Sequence, residues 1–203
     1  MIKLLTDNGL SEYAIVPMPP EDKLIGRRVR LRIPENAKSV IVALFPKRSI
    51  PDGSGRASFA IGENYHDMAR RLCEPVIEAL KAEHGGAWEH FCDNSPFAEV
   101  GLAVSAGLGV RGKNNILINE KYGTFFHICE IVTDVELKFT DKKLNWNPCE
   151  DCNKCVEACP THNLPNFERE NCISYITQKL KTPVNGWTWG CDICGEVCPW
   201  NTH

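Results

Sequence analysis

The chain has 203 residues, 43% of them hydrophobic and 24% charged, with a formal charge of −3. That length supports one compact domain, or a domain with a small appendage, with a core that needs no disulfides. The charge offers no global attraction to nucleic acid, and the longest apolar run, "VIVALF" at Val40 to Phe45, is too short to cross a bilayer.

The start, "MIKLLTDNGLSEYA", contains no apolar core of signal-peptide length, so a soluble cytoplasmic protein is expected. Next, "RRVRLRI" at Arg27 to Ile33 reads as a strand with Arg28, Arg30 and Arg32 on one face. It is the single candidate for a local RNA patch, although an edge strand guarded by charge explains such a stripe more simply. "SVIVALF" is rich in β-branched residues and predicts a buried strand. "ENYHDMARRLCEPVIEALKAEHGG" predicts a helix ending at Gly85 and Gly86, with Tyr65, Met68, Leu72, Val76 and Leu80 as its apolar stripe. Pro75 within it is expected to kink or divide the helix, because proline lacks a backbone donor and clashes with the preceding turn.

"AWEHFCD" reads as a short extended piece. In "SPFAEVGLAVSAGLG", Ser95 can cap a helix whose first turn holds Pro96. "NILI" and "FFHICEIVTDV" then predict two strands joined as a hairpin around "NEKYG". The glycine turn "GLGVRGKN" follows a helix, so it is no dinucleotide-binding fingerprint, which would lie between a strand and a helix.

Eight of the eleven cysteines fall between Cys149 and Cys198, which sets a boundary near "TDKKLNWNP". So many cysteines in an unexported chain point to metal or redox chemistry, since the cytosol keeps disulfides reduced. "CEDCNKCVEACP" has the spacing C-x2-C-x2-C-x3-C-P, in which three thiolates serve one 4Fe-4S cube and the fourth serves its neighbour. Cys191, Cys194 and Cys198 with Pro199 repeat the last three cysteines of that pattern, and Cys172 supplies the missing one. Pseudo-symmetry then assigns Cys149, Cys152, Cys155 and Cys198 to one cube, and Cys159, Cys172, Cys191 and Cys194 to the other. Zinc ranks behind iron–sulfur, because its sites use two separated pairs, and disulfides rank behind zinc. Trp146, Trp187, Trp189 and Trp200 can shield such centres from water, or simply fill a small core.

Taken together, the cysteine pattern, "CISYIT", "GCDICGEVCPWN", "YHD", the segment from Asp93 and "AGLGVRGKN" resemble the epoxyqueuosine reductase family over about residues 37 to 201. The resemblance implies an α+β protein: a nitroreductase-like α/β cobalamin-binding and catalytic domain at 1–142, then a double 4Fe-4S, bacterial-ferredoxin-like module at 143–203. It implies base-off cobalamin held between them and reduced by the clusters to Co(I), for two-electron deoxygenation of epoxyqueuosine in tRNA. Asp93 corresponds to the proton donor, expected in an apolar pocket formed by Phe91, Cys92 and Phe97, because a carboxyl keeps its proton near neutral pH when buried. Without the family, Asp93 reads as a turn cap. Leu117 and Ile128 align with corrin-contacting positions, Ser174 lies near the macrocycle, and Lys113 and Asn114 occupy the glycine turn.

Several positions depart from the family pattern. The resemblance implies a short form without the C-terminal helical-repeat domain that helps hold tRNA. A cysteine near cobalt in some members is replaced by Gly55 or Ala57, Val100 stands where arginine is common, and Cys129 reads as buried filler. The partners implied are tRNA and a low-potential donor of the ferredoxin or flavodoxin type, with no membrane. Two alternatives are an electron-transfer protein that reactivates a partner's corrinoid, and a reductive dehalogenase-like enzyme.

Overall fold

The computed structural model describes residues 1–26 and 28–201. Two compact units divide the chain: Met1–Phe45, Tyr65–Leu108 and His127–Asn145 form the first, and Pro46–Asn64, Gly109–Phe126 and Trp146–His203 form the second. This division differs from the expected 1–142 and 143–203 partition in that two segments of the amino-terminal stretch group with the cysteine-rich one. Local bonds account for this. Thr188 donates its amide to the Gly55 carbonyl at 2.7 Å, Ala57 to Trp189 at 2.8 Å, and Ser58 to Oδ2 of Asp192 at 2.5 Å.

In the first unit, helix α1 (Ile2–Asp7) leads into strand β1 (Glu12–Pro17), which pairs antiparallel with β2 (Ser39–Pro46), Ala14 opposite Val42. Strand β3 (Trp88–Phe91) pairs antiparallel with β6 (Phe126–Thr133), and the sheet order is β1-β2-β6-β3. β2 is buried from Ser39 to Phe45, the pattern of a strand covered on both faces. Helix α2 (Tyr65–His84) contributes Ala69, Cys73, Val76 and Leu80 to a core shared with Ile41, Phe45, Cys129 and Ile131. Truncating a side chain such as Leu80 to alanine in that core costs about 2–5 kcal/mol.

α2 runs unbroken for 20 residues through Pro75, so the helix is not divided there as one of the two expected outcomes had it. Pro75 lies on the exposed face, so its ring and missing donor face solvent instead of the core. The arginine stretch also departs from expectation: Val29–Arg32 is a 3-10 turn, and Arg27 lies outside the described residues. Its charges serve local contacts. Arg30 donates to the Leu24 carbonyl, while Arg32 pairs with Glu89 and stacks over the Phe91 ring at 4.8 Å.

Helix α3 (Glu99–Ser105) has Ala98 and not Ser95 at its capping position, and the Ser95 hydroxyl instead accepts the Phe97 amide at 3.2 Å and closes a preceding turn. The predicted hairpin is divided between the units. In the second unit, β5 (Leu117–Ile118) pairs with β4 (Val110–Arg111), while β6 joins the large sheet. Gly109 permits the β4–β5 approach, because a Cβ there would strike the Ile118 carbonyl. "NEKYG" remains a turn, closed by reciprocal amide bonds between Asn119 and Gly123 at 2.8 and 2.9 Å. The cysteine segment carries three short helices: α4 (Lys154–Ala158), α5 (Ile173–Lys179) and α6 (Ile193–Glu196).

Candidate functional site

The second unit sorts its cysteines into two groups. Cys149, Cys152, Cys155 and Cys198 line one small cavity, closed by Pro148 and Trp200. Cys159, Cys172, Cys191 and Cys194 line another of about 370 Å³. These are the two sets that the spacing predicts, and all eight are free thiols. Among the described residues, no group of three or more His, Cys, Asp or Glu side chains is arranged to hold a metal ion. The thiols surround spaces instead, as a cube with a thiolate at each iron requires.

Burial and the charge of neighbouring thiols shift several of these groups. Burial pushes the Cys191 thiol up to about 11 and Cys194 to about 12, and in each case charge on Cys172 and Cys159 adds to the rise. Burial likewise raises Cys155 and Cys198, with Cys149 and Cys152 contributing to both. At Cys159 burial acts upward, but the Thr161 hydroxyl and nearby backbone amides outweigh it and leave the thiol below its ordinary value. Four thiolates this close repel one another, so a cationic centre that neutralises them fits this donor set.

The glycine turn fastens these loops. Lys113 donates its amine to the carbonyls of Glu150 and Cys152 at 3.3 and 3.0 Å, and to Oδ1 of Asn153 at 3.0 Å. Asn114 is 5% exposed, lines both cavities and donates to the Cys194 carbonyl at 3.2 Å. Ser174, on α5, lines the larger cavity, and its hydroxyl accepts from Gln178 at 2.8 Å. Of the positions aligned with the corrin, Asn114 and Ser174 therefore share a cavity. Leu117 is buried in β5, and Ile128 lies in β6 of the first unit, half-buried.

Asp93 belongs to the first unit, on the turn between β3 and α3, in the left-handed region at φ 61°. The Tyr65 hydroxyl donates to its Oδ2 at 3.0 Å, and the Asp93 amide donates to Oε1 of Glu99 at 2.7 Å. Phe91, Cys92 and Phe97 are buried beneath the turn, but Asp93 itself is exposed, which corrects the expected enclosure. The shifted groups are its neighbours. Burial pushes Glu99 up to about 7, with the Asp93 charge adding to the rise and the Asp93 amide opposing it. Burial and the adjacent Asp93 charge hold the Tyr65 hydroxyl well above its ordinary value, and its ring stacks on His127 at 4.3 Å.

Sequence reasoning placed Tyr65 only in the apolar stripe of α2 and in the "YHD" motif, without linking it to Asp93, and assigned no role to Glu99 or Glu130. Glu130 is fully buried in β6; neither carboxyl oxygen makes a hydrogen bond of normal geometry, and burial, with the Glu99 charge adding to it, raises its carboxyl well above the usual range although the nearby Ser95 side chain opposes the rise. The available signal was an acid within the apolar run "FHICEIV".

A family profile described as "4Fe-4S double cluster binding domain" matches residues 148–201. An epoxyqueuosine reductase from Cyclobacterium marinum is 35% identical over 188 residues, covering 84% of this chain and 60% of the relative. A solved epoxyqueuosine reductase with a modified tRNA-Tyr stem loop shares the fold at TM-score 0.80 and 21% identity, over 98% of this chain and 64% of the other. A reductive dehalogenase described in terms of B12-dependent dehalogenation shares it at TM-score 0.70 and 17% identity, over 98% and 31%. No helix among the described residues is long and apolar enough to cross a membrane. The chain thus spans about 60% of the length of the first curated relatives it matches, and over that span it belongs to the epoxyqueuosine reductase family.

Proposed function

We propose that the chain is a cobalamin- and iron–sulfur-dependent reductase of the epoxyqueuosine type, working in the cytoplasm on epoxyqueuosine in tRNA. The observation that carries this reading is the segregation of eight thiols into two sets of four around two cavities. Those sets would hold two 4Fe-4S cubes, with a ferredoxin- or flavodoxin-type donor upstream. The fold shared with a B12-dependent dehalogenase supports cobalamin, for which Asn114 and Ser174, which line the larger cavity, and Lys113 and Leu117 of the same unit are the candidate contacts. When bound, the cubes supply single electrons in sequence and cobalamin supplies a low-potential two-electron reductant.

Deoxygenation of an epoxide to an alkene takes up two electrons and two protons and releases water. Asp93 would deliver a proton to the departing oxygen, a role supported by its accessibility and by the Tyr65 hydrogen bond to one of its carboxyl oxygens. A pure electron carrier needs no such acid. Lys113 and Asn114 hold the cysteine loops through backbone carbonyls and so keep the thiol sets in place.

The test is anaerobic reconstitution with iron, sulfide and cobalamin, followed by desalting, metal analysis and EPR. About eight irons and one base-off Co(II) per chain are expected, with turnover of epoxyqueuosine tRNA slowed about 100-fold or more in Asp93→Asn. Eight irons without retained cobalt would leave an electron carrier that serves a partner's corrinoid. The shared dehalogenase fold makes an organohalide the second substrate class; its turnover, absent any on epoxyqueuosine, would select that reading.

A further inference from the structure

We infer that Glu99 is the positioning residue for Asp93: its carboxylate accepts the Asp93 backbone amide and latches the 92–95 turn in the conformation that presents the Asp93 side chain to Tyr65. The inference deepens the proposed function and rests on Asp93 being the acid.

The turn is costly to hold. Asp93 sits at φ 61°, a region that disfavours residues with a Cβ. Two local amide bonds fold the turn, Asn94 to the Cys92 carbonyl at 2.7 Å and Ser95 to the Asp93 carbonyl at 2.9 Å, but neither engages the Asp93 amide. That amide goes to Oε1 of Glu99 at 2.7 Å, within the range of a charge-assisted bond. Glu99 is the first residue of α3, so helix and turn are joined by the carboxylate that begins the helix. One amide bond therefore links the orientation of the acid to a fixed element six residues away. Losing it frees the turn to relax from its strained conformation, and Asp93 then moves relative to Tyr65.

The latch is also titratable. The groups facing Glu99 are Asp93 and Cys92 on the turn, Tyr65 from α2 and Glu130 from β6. None of them is a cation. A protonated Glu99 is a weaker acceptor than the carboxylate, so the latch tightens as the pH rises through about 7.

The test compares Glu99→Ala and Glu99→Gln in the reconstituted protein, by residue-resolved hydrogen exchange at Asp93 and by single-turnover kinetics. Glutamine keeps a carbonyl acceptor but cannot ionise. Alanine is expected to deprotect the Asp93 amide and slow turnover about tenfold or more with KM little changed. Glutamine is expected to retain protection and most activity, and to remove the rise in protection between pH 6 and 8 that is expected in the parent. An Asp93 amide as protected in Glu99→Ala as in the parent overturns the latch. Should alanine prevent folding, a pH response of Glu99→Gln identical to the parent overturns it equally. Asp93→Asn separates this from the underlying reading: unimpaired turnover there removes Asp93 as the acid, while the exchange result still decides the latch.

Discussion

The Tyr65 hydroxyl donates a 3.0 Å hydrogen bond to Oδ2 of Asp93, joining the start of α2 to the turn after β3. Burial and the Asp93 charge keep the phenol protonated, so it acts as a fixed donor and not as a proton source. Tyr65→Phe keeps the ring stacked on His127 but removes that donor. It should slow single-turnover deoxygenation about tenfold, against about 100-fold or more for Asp93→Asn, since a positioned general acid contributes 10²–10⁴. Equal rates in Tyr65→Phe and the parent would show that the phenol does not orient the acid.

Glu130 makes a prediction about stability. Its carboxyl is raised in the folded state, so the favourable contribution is fully present below the unfolded value of 4.5 and is lost as pH rises through the folded value. Glu99 has the same sign, in the window from 4.5 to about 7. Each group therefore lowers stability by about 1.4 kcal/mol per pH unit within its own window. Glu130→Met removes a buried carboxyl that has no hydrogen bond of normal geometry, which should be worth about 1–3 kcal/mol at pH 8 and flatten the pH dependence. Thermal unfolding from pH 5 to 9 checks this, and a lower midpoint for the variant at pH 8 would contradict it.

The cysteine grouping was readable because ligand spacing reports a local requirement: the positions of four thiols are set by short loops within one segment. The burial of "SVIVALF" was readable for a similar reason, since period and composition are local properties. Other features depend on distant partners. The Arg30 and Arg32 side chains find the Leu24 carbonyl and Glu89, and this fixes a 3-10 turn where alternation suggested a strand. Residues 46–64 join the cysteine-rich unit through bonds such as Thr188 to Gly55, more than 130 positions apart. At the candidate site, Asp93 was found through resemblance. The links of Tyr65 and Glu99 to Asp93 were not legible, because they lie in hydrogen bonds that no spacing rule encodes, although Tyr65 itself was read as part of the apolar stripe and of "YHD".

The two thiol sets predict how iron is lost. Serine at Cys149 or Cys198 should remove the same cube, leaving about four irons and one common residual EPR spectrum. Serine at Cys159 or Cys172 should leave the complementary spectrum. The Cys159 result is diagnostic, since Cys159 follows Cys155 by four residues yet lines the other cavity. A Cys159→Ser spectrum matching that of Cys149→Ser would overturn the assignment.

Gly123 predicts how the end of the second unit is secured. It has φ 62°, and a Cβ there would strike the Asn201 side chain and lie 2.6 Å from the Trp200 carbonyl oxygen. Asn201 is held in place by accepting the Thr124 amide at 2.7 Å and donating to the Gly195 carbonyl at 2.6 Å. Displacing it loosens α6, which carries Cys194, and the turn that carries Cys198. Gly123→Ala should therefore cost about 1–3 kcal/mol from backbone strain, with the collision adding to it. The reconstituted variant should lose iron to a chelator faster than the parent, from both thiol sets, because Asn201 and its neighbours abut a cysteine of each. Unchanged iron release alongside a lowered thermal midpoint would confine the role of Gly123 to folding, and would separate the "YG" turn from cluster retention.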